Sequence, residues 1–169
     1  MNIVYKQGNL LDDDADWLVN PVNCVGVRGA GLAAQFKRRW PAYFDKYHSS
    51  CWYGGMHVGE VSIHHMPDDP QREIVSFPTK KNFIDPSQLK WIREGLMDLA
   101  NFLIAHKDRE VPSVDKDPDR CWVQHCHSIA FPKLGCGLGG LNWADVHPLL
   151  VAFAEVCSFV EVRIYGEPL

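Results

Sequence analysis

Two glycine-rich runs, Gly26-Val27-Arg28-Gly29-Ala30-Gly31 and Gly135-Cys136-Gly137-Leu138-Gly139-Gly140, each follow an apolar stretch that reads as a strand and each precede a helical pattern. Glycine at these spacings lets backbone N–H groups approach a ligand that side chains would keep away. The start of the following helix adds further donors and the positive end of its dipole. Phosphate is the group such a cradle fits, and two cradles in one short chain make a paired clamp. Glycine also serves plain turns and helix entries, so either loop alone is open to both readings. The polar Asn23 ahead of the first loop favours a ligand, and Pro78-Thr79-Lys80-Lys81 is expected on the same rim.

The second run also satisfies the dinucleotide fingerprint, with Glu161 roughly 20 residues on, which makes a nicotinamide enzyme a rival. A doubly wound dinucleotide fold continues through further strand and helix units after its fingerprint, and here only one more helix and strand follow. Other clusters carry less. His125 with Cys121 and Cys126, or His57 with His64 and His65, have no usual zinc spacing, and adjacent strand histidines point to opposite faces, so no metal site is expected. Cys24 and Cys136 sit in the ligand loops without a paired histidine and acid, and small-residue packing is the expectation for both. Lys37-Arg38-Arg39-Trp40 reads equally as a nucleic-acid contact or as a solvated helix end with a buried tryptophan.

The elements that must position these residues alternate. Ile3 to Tyr5 and Trp17 to Val22 read as strands, separated by the turn-prone stretch from Gly8 to Asp14. Leu32 to Arg39 has a helical period that Trp40-Pro41 ends, and a second short helix covers Ala42 to His48. Val58 to His64 and Glu73 to Phe77 read as strands joined by a turn at Asp68-Asp69-Pro70-Gln71. Leucines and Ile92 at helical spacing predict a long helix from Ser87 to His106, with Asp85 or Ser87 as its cap. Residues 107–120 are charged and proline-bearing and read as an exposed loop. Ser128 to Phe131 leads into the second glycine run, Asn142 caps a helix to about Cys157, and Phe159 to Tyr165 closes the sheet. Strands alternating with helices imply an α/β fold with a sheet covered on both faces, whose ligand sits beyond the strand ends.

The 169 residues, 46% of them hydrophobic, suffice for one sizeable core, and a single domain over 1–169 is expected. Seventeen Lys and Arg against 21 Asp and Glu give a net charge of -4, so contact with nucleic acid must be local. The six cysteines form no Cys-x-x-Cys pair, the N-terminal residues lack a long apolar secretory core, and no apolar run nears the ~20 residues that span a bilayer. Reduced thiols, a cytoplasmic location, no membrane partner and a monomer are the expectations.

Three separated stretches then resemble a known family: Val19 to Ala33, Phe77-Pro78-Thr79-Lys80-Lys81, and Pro132 to Trp143. In this order they are similar to macrodomains, and within these to the DNA ADP-ribosyl glycohydrolase branch, the DarG antitoxins. The likeness runs over nearly the whole chain, with residues 107–125 as the clearest insertion. It implies a three-layer α/β/α macrodomain with a central mixed sheet that binds ADP-ribose as its ligand, with no cofactor. It places adenine near Gly8-Asn9-Leu10, where Asn9 stands in place of the aspartate of many macrodomains and loses the charge-assisted part of the adenine bond. The diphosphate falls between the loops, against Val27, Gly29, Ala30 and Gly31 on one side and Leu134, Gly135, Cys136, Gly137, Leu138 and Gly139 on the other, with Thr79 nearby.

Asn23 matches the asparagine aimed at the distal ribose; a turn asparagine bonding its own backbone is the plainer reading. Lys80 matches the lysine beside that ribose. A neutral lysine amine can attack the anomeric carbon, with Lys81 as the neighbouring cation that disfavours a second charge; an ammonium can instead stabilise charge on the ribose or leaving base. Gly139 stands where the related terminal ADP-ribose hydrolases carry an aspartate, which tilts the substrate toward DNA. The resemblance therefore implies hydrolysis of the N-glycosidic link between ADP-ribose and thymine in single-stranded DNA, opposing a DarT-type toxin. The alternatives are a non-catalytic ADP-ribose-binding module, or a hydrolase acting on protein ADP-ribosylation or ADP-ribose phosphate. DarG antitoxins usually carry a further C-terminal domain that grips the toxin, and none is read in this sequence.

Overall fold

Among the residues described by this computed structural model, 2–27, 30–109 and 125–169, six strands form one sheet. They are β1 (Ile3–Lys6), β2 (Trp17–Asn23), β3 (Ser62–Met66), β4 (Asp69–Lys80), β5 (Ser128–Phe131) and β6 (Glu161–Tyr165), in the order β1-β6-β5-β2-β4-β3. All neighbours are parallel except β3, which runs antiparallel to β4 at one edge. The helices are α1 (Leu32–Arg39), α2 (Pro41–Trp52), α3 (Leu89–His106) and α4 (Trp143–Val156), and a 3₁₀ turn covers Leu10–Asp12.

Strand alternation divides the core in two. Trp17 and Val19, Val75 and Phe77, Ile129 and Phe131, and Val162 and Ile164 pack against α3 and α4. Their neighbours Leu18, Val22, Ile74 and Ala130 pack with Phe36, Tyr43, Phe44 and Tyr47 of α1 and α2. Successive residues on opposite faces, both faces covered, give the three-layer α/β/α arrangement that the alternation predicts.

Several boundaries differ for local reasons. Trp40 closes α1 and Pro41 opens α2 at its first turn, where a missing N–H costs nothing. α2 runs on to Trp52 and stops only where Gly54 takes a positive φ, with the Gly55 N–H returning to the Ser50 carbonyl. β3 starts late because Glu60 N–H bonds the His57 carbonyl in a turn around Gly59. The β3–β4 turn is Pro67-Asp68, and Asp69 and Pro70 already belong to β4. α3 starts at Leu89 after Gln88, and neither Asp85 nor Ser87 caps it: Ser87 is buried and its N–H bonds the Gly139 carbonyl at 3.0 Å. α4 is capped as expected, the Asn142 side chain accepting from Ala144 N–H at 3.1 Å. The expected insertion at 107–125 lies largely outside the described residues, as do Arg28 and Gly29 of the first loop and Cys121 of the candidate zinc set.

The ladder between β2 and β4 is irregular at its functional end. Val22 pairs with Pro78, but Asn23 pairs with Lys80, so Thr79 is an extra residue on β4. Pro78 has no N–H to give the ladder, and a bulge is where a sheet tolerates that.

Candidate functional site

β2, β4 and β5 lie side by side and point the same way, so Asn23, Lys80 and the Pro132-Lys133 turn after β5 emerge at one rim. A cleft of about 920 Å³ opens there. Val27, Ala30 and Gly31 of the first glycine loop line it, with Thr79 and Lys80 of β4 and Gly135 through Gly139 of the second loop. Crevices beyond the carboxyl ends of parallel strands are where α/β sheets hold ligands.

The second loop is held by its own backbone. Leu141 N–H bonds the Gly135 carbonyl at 2.9 Å, Gly140 N–H the Gly137 carbonyl at 3.1 Å, and Cys136 N–H the Lys133 carbonyl at 3.1 Å. Its glycines divide by task. A Cβ on Gly139 would lie 2.4 Å from both the Gly135 carbonyl oxygen and Ser87 Oγ, so only glycine fits; a Cβ on Gly137 would meet nothing within 4 Å. Gly139 thus lets the loop close on Ser87, and Gly137 presents bare backbone to the cleft. The steric demand is an independent reason for glycine at 139, beside the substrate branch the sequence suggested.

The first loop is held by side chains. Asn23 Oδ1 accepts from Val25 N–H at 3.1 Å and from the Tyr47 hydroxyl at 3.1 Å, and its Nδ2 donates to the Val27 carbonyl at 3.1 Å. Tyr47 also donates to the Asn23 carbonyl at 2.7 Å, and His48 Nδ1 lies 3.0 Å from the Gly26 carbonyl. The plainer expectation for Asn23, an asparagine tied to its own turn, is therefore met, while the residue also lines the cleft.

Lys80 stands level with Asn23 on the neighbouring strand, and its Nζ donates to the Leu138 carbonyl at 3.0 Å, so the side chain spans from β4 to the second loop. Lys81 turns elsewhere: its Nζ sits 5.6 Å from the centre of the Trp91 ring. The two cysteines have the thiols of packed residues. Burial, followed by the nearby Cys51, pushes Cys24 up to about 11, and burial raises Cys136 as well. Protonated thiols are poor nucleophiles at neutral pH.

Three of the expected contacts lie away from the cleft wall. Asn9 caps the 3₁₀ turn by accepting from Leu11 N–H at 3.1 Å, Leu10 is buried with the α1 and α2 side chains, and Leu134 is buried in the opposite core. A leucine in such a turn is drawn inward by its apolar surface, and the asparagine is occupied by the turn it starts. Conversely, Asn20, Phe44, Phe83, Lys133 and Tyr165 line the cleft without having been singled out. Asn20 donates to the Tyr43 hydroxyl at 2.9 Å, which in turn lies 2.6 Å from Ser76 Oγ, and that chain anchors α2 to the sheet. Tyr165 is fixed by the buried Asp13, which accepts from its hydroxyl, from Ala15 N–H and from Arg163. Burial alone would raise the Asp13 pKa, but these bonds together hold it below the ordinary carboxylate value.

The candidate metal histidines separate: His64 packs edge-on against Tyr43, and His65 Nδ1 lies 2.9 Å from the Glu73 carboxylate. No described helix is long and apolar enough to cross a membrane.

The Macro domain family model matches residues 19–150. The chain is 38% identical over 164 residues to a protein of Mycobacterium tuberculosis named DNA ADP-ribosyl glycohydrolase, which covers 96% of this chain and 42% of the relative. It thus spans about two fifths of the length of such curated relatives. Among solved structures, the macrodomain of Mycobacterium tuberculosis DarG superposes with a TM-score of 0.83 at 36% identity, covering 98% of each chain. Thermosipho africanus DarTG in complex with ADP-ribose superposes with a TM-score of 0.79 at 26% identity, covering 97% of this chain and 41% of that one.

Proposed function

The chain belongs to the macrodomain family, and from that membership we propose that its cleft binds ADP-ribose and releases it from thymine bases of single-stranded DNA. The observation that carries the reading is the Lys80 side chain, level with Asn23 and bonded through Nζ to the Leu138 carbonyl of the second glycine loop. A module that only binds ADP-ribose has no need of a cation there. The names of the relatives, DNA ADP-ribosyl glycohydrolase, support the same chemistry.

In this reading the diphosphate lies between the loops, against the bare backbone of Gly137 on one side and Val27, Ala30 and Gly31 on the other. Phe44 and Tyr165 offer apolar ring faces for adenine. The distal ribose reaches Lys80. Water adds to its anomeric carbon, the bond to the thymine nitrogen breaks, and the leaving nitrogen takes the proton that water gives up. An ammonium has three protons, and the Leu138 carbonyl uses one, leaving two for the ribose or the departing base. We therefore assign Lys80 as the electrostatic donor and Asn23, whose amide holds the first loop, as a positioning residue. No cofactor enters the scheme. The biological partner is a DarT-type toxin whose modification the chain reverses, in the cytoplasm and as a monomer; the fusion of transferase and glycohydrolase named in Thermosipho africanus supports the pairing.

The test is release of ADP-ribose from an oligonucleotide carrying thymidine-linked ADP-ribose, beside ester-linked ADP-ribose on glutamate. DNA should turn over faster, and a preference for the ester would move the substrate to protein. Lys80→Ala should lose DNA release by 100-fold or more, on the order of 3 kcal/mol of transition-state stabilisation, while calorimetry shows ADP-ribose affinity within a few-fold of wild type. Borohydride added during turnover should trap no adduct on Lys80. A trapped ADP-ribosyl lysine would make it the nucleophile instead, and full activity in Lys80→Ala would end both versions.

A further inference from the structure

Beyond Lys80 the wall of the cleft changes character. Leu138, whose carbonyl takes the Lys80 bond, leaves its residue 73% exposed. Phe83, three residues past Lys80, lines the same cleft and is 53% exposed, whereas Phe36, Phe77 and Phe131 are fully buried. The backbone that carries the ring is held in place. Asn82 Oδ1 accepts from Ile84 N–H at 2.9 Å and Asp85 N–H at 2.8 Å, and its Nδ2 donates to the Asp85 carboxylate at 2.6 Å. That turn fixes the backbone on either side of Phe83, so little backbone freedom is left to lose when something covers the ring.

ADP-ribose itself ends in a polar sugar, which offers a half-exposed phenyl ring little to recognise. What extends past the sugar is the group it is attached to. A nucleobase brings a flat π-face, whereas the ester of an acidic side chain brings a short flexible stem. We propose that Phe83 is the specificity-determining residue that selects base-linked ADP-ribose, by stacking on the nucleobase next to Lys80. The inference rests on the DNA reading above and names the residue that separates it from the protein reading. Stacking is indifferent to which base is present, so Phe83 selects base over peptide and leaves the choice of thymine to other contacts.

Binding tests this separately from catalysis. In the Lys80→Ala background, a single-stranded oligonucleotide carrying thymidine-linked ADP-ribose should bind at least 5-fold more tightly than free ADP-ribose, from a stack of about 1–3 kcal/mol per base. Adding Phe83→Ala should bring that ratio to within twofold of unity, with free ADP-ribose affinity unchanged. Phe83→Trp should keep the ratio. Ile84→Ala should also keep it, since Ile84 is 77% exposed but does not line the cleft. A ratio that survives Phe83→Ala, or an equal loss for both ligands, overturns the proposal. A wild type that releases nothing from DNA while the ratio holds would remove the hydrolysis and leave the stack standing.

Discussion

The two glycine loops line one cleft, but the second is a knot of backbone bonds packed on α3 and the first is a strap tied by side chains from β2 and α2. In the second, the carbonyls of Gly135, Gly137 and Gly139 accept from the N–H groups of Leu141, Gly140 and Ser87, and Gly139 has no room for a Cβ. In the first, Asn23, Tyr47 and His48 supply the tethers, and Val25, Val27, Ala30 and Gly31 remain exposed. A backbone knot keeps its shape whatever side chains surround it; a strap keeps its shape only while its fasteners hold. In the proposed function the rigid side is the one that serves as the fixed phosphate cradle.

The comparison can be broken most directly at Gly137. Gly137→Val puts a side chain into open space, so the melting temperature should stay within about 2 °C, while ADP-ribose affinity falls by 100-fold or more, about 3 kcal/mol. Unchanged binding in calorimetry would remove the second loop from the phosphate site. Gly139→Ala attacks the same loop from behind. The contact at 2.4 Å forces the backbone apart, and a loss of roughly 1–3 kcal/mol of stability is expected, with a denaturant midpoint that falls in proportion. A stable Gly139→Ala protein would mean that the knot is looser than its bonds imply.

On the strapped side, Asn23→Ala removes three bonds at once. Each contributes about 1 kcal/mol at most in a partly solvated turn, so a five- to tenfold loss of ADP-ribose affinity is expected, with faster amide exchange from Cys24 to Val27 and no change in the second loop. Equal exchange in both loops would erase the distinction.

Acid sharpens it further. Burial pushes His64 down to about 4, with smaller contributions from Lys46 and His65, and its ring packs on Tyr43 of α2. The unfolded chain therefore binds the proton first, and stability falls as pH drops from about 6.5 toward 4. His64→Phe should flatten that part of the curve. Asp13, held below its ordinary 3.8, contributes stability that is present above that value and is lost only as pH falls through its lower folded value. Lys81→Ala, over the Trp91 ring, should change release of ADP-ribose by less than twofold.

What was legible in the sequence was what depends on spacing alone: α1 to the residue, β5 to the residue, the Asn142 cap and both glycine loops. What was not legible depends on partners distant in the chain. Tyr165 reaches the cleft because the Asp13 cluster holds it, and Phe44 because α2 crosses under the first loop; neither fact has a local signature. Ser87 looked like a helix cap because serine is a good one, but the glycine loop 52 residues later claims its N–H. Asn9 and Leu10 matched a motif, yet the turn they build takes the asparagine side chain for itself.

The extra residue at Thr79 has a consequence for how this protein can vary. In an unbroken ladder Asn23 would face Thr79, and Lys80 would come one step later. The meeting of the lysine with the asparagine is thus a matter of counting: from Val75 to Lys80 β4 carries six residues where β2, from Val19 to Asn23, carries five. Side chains along β4 can be exchanged without disturbing that count, but removing or adding a single residue between Val75 and Lys80 changes its parity. The pairing of Lys80 with Asn23 is written in the length of the strand, and a chain that drifts in composition keeps it while a chain that slips by one residue does not.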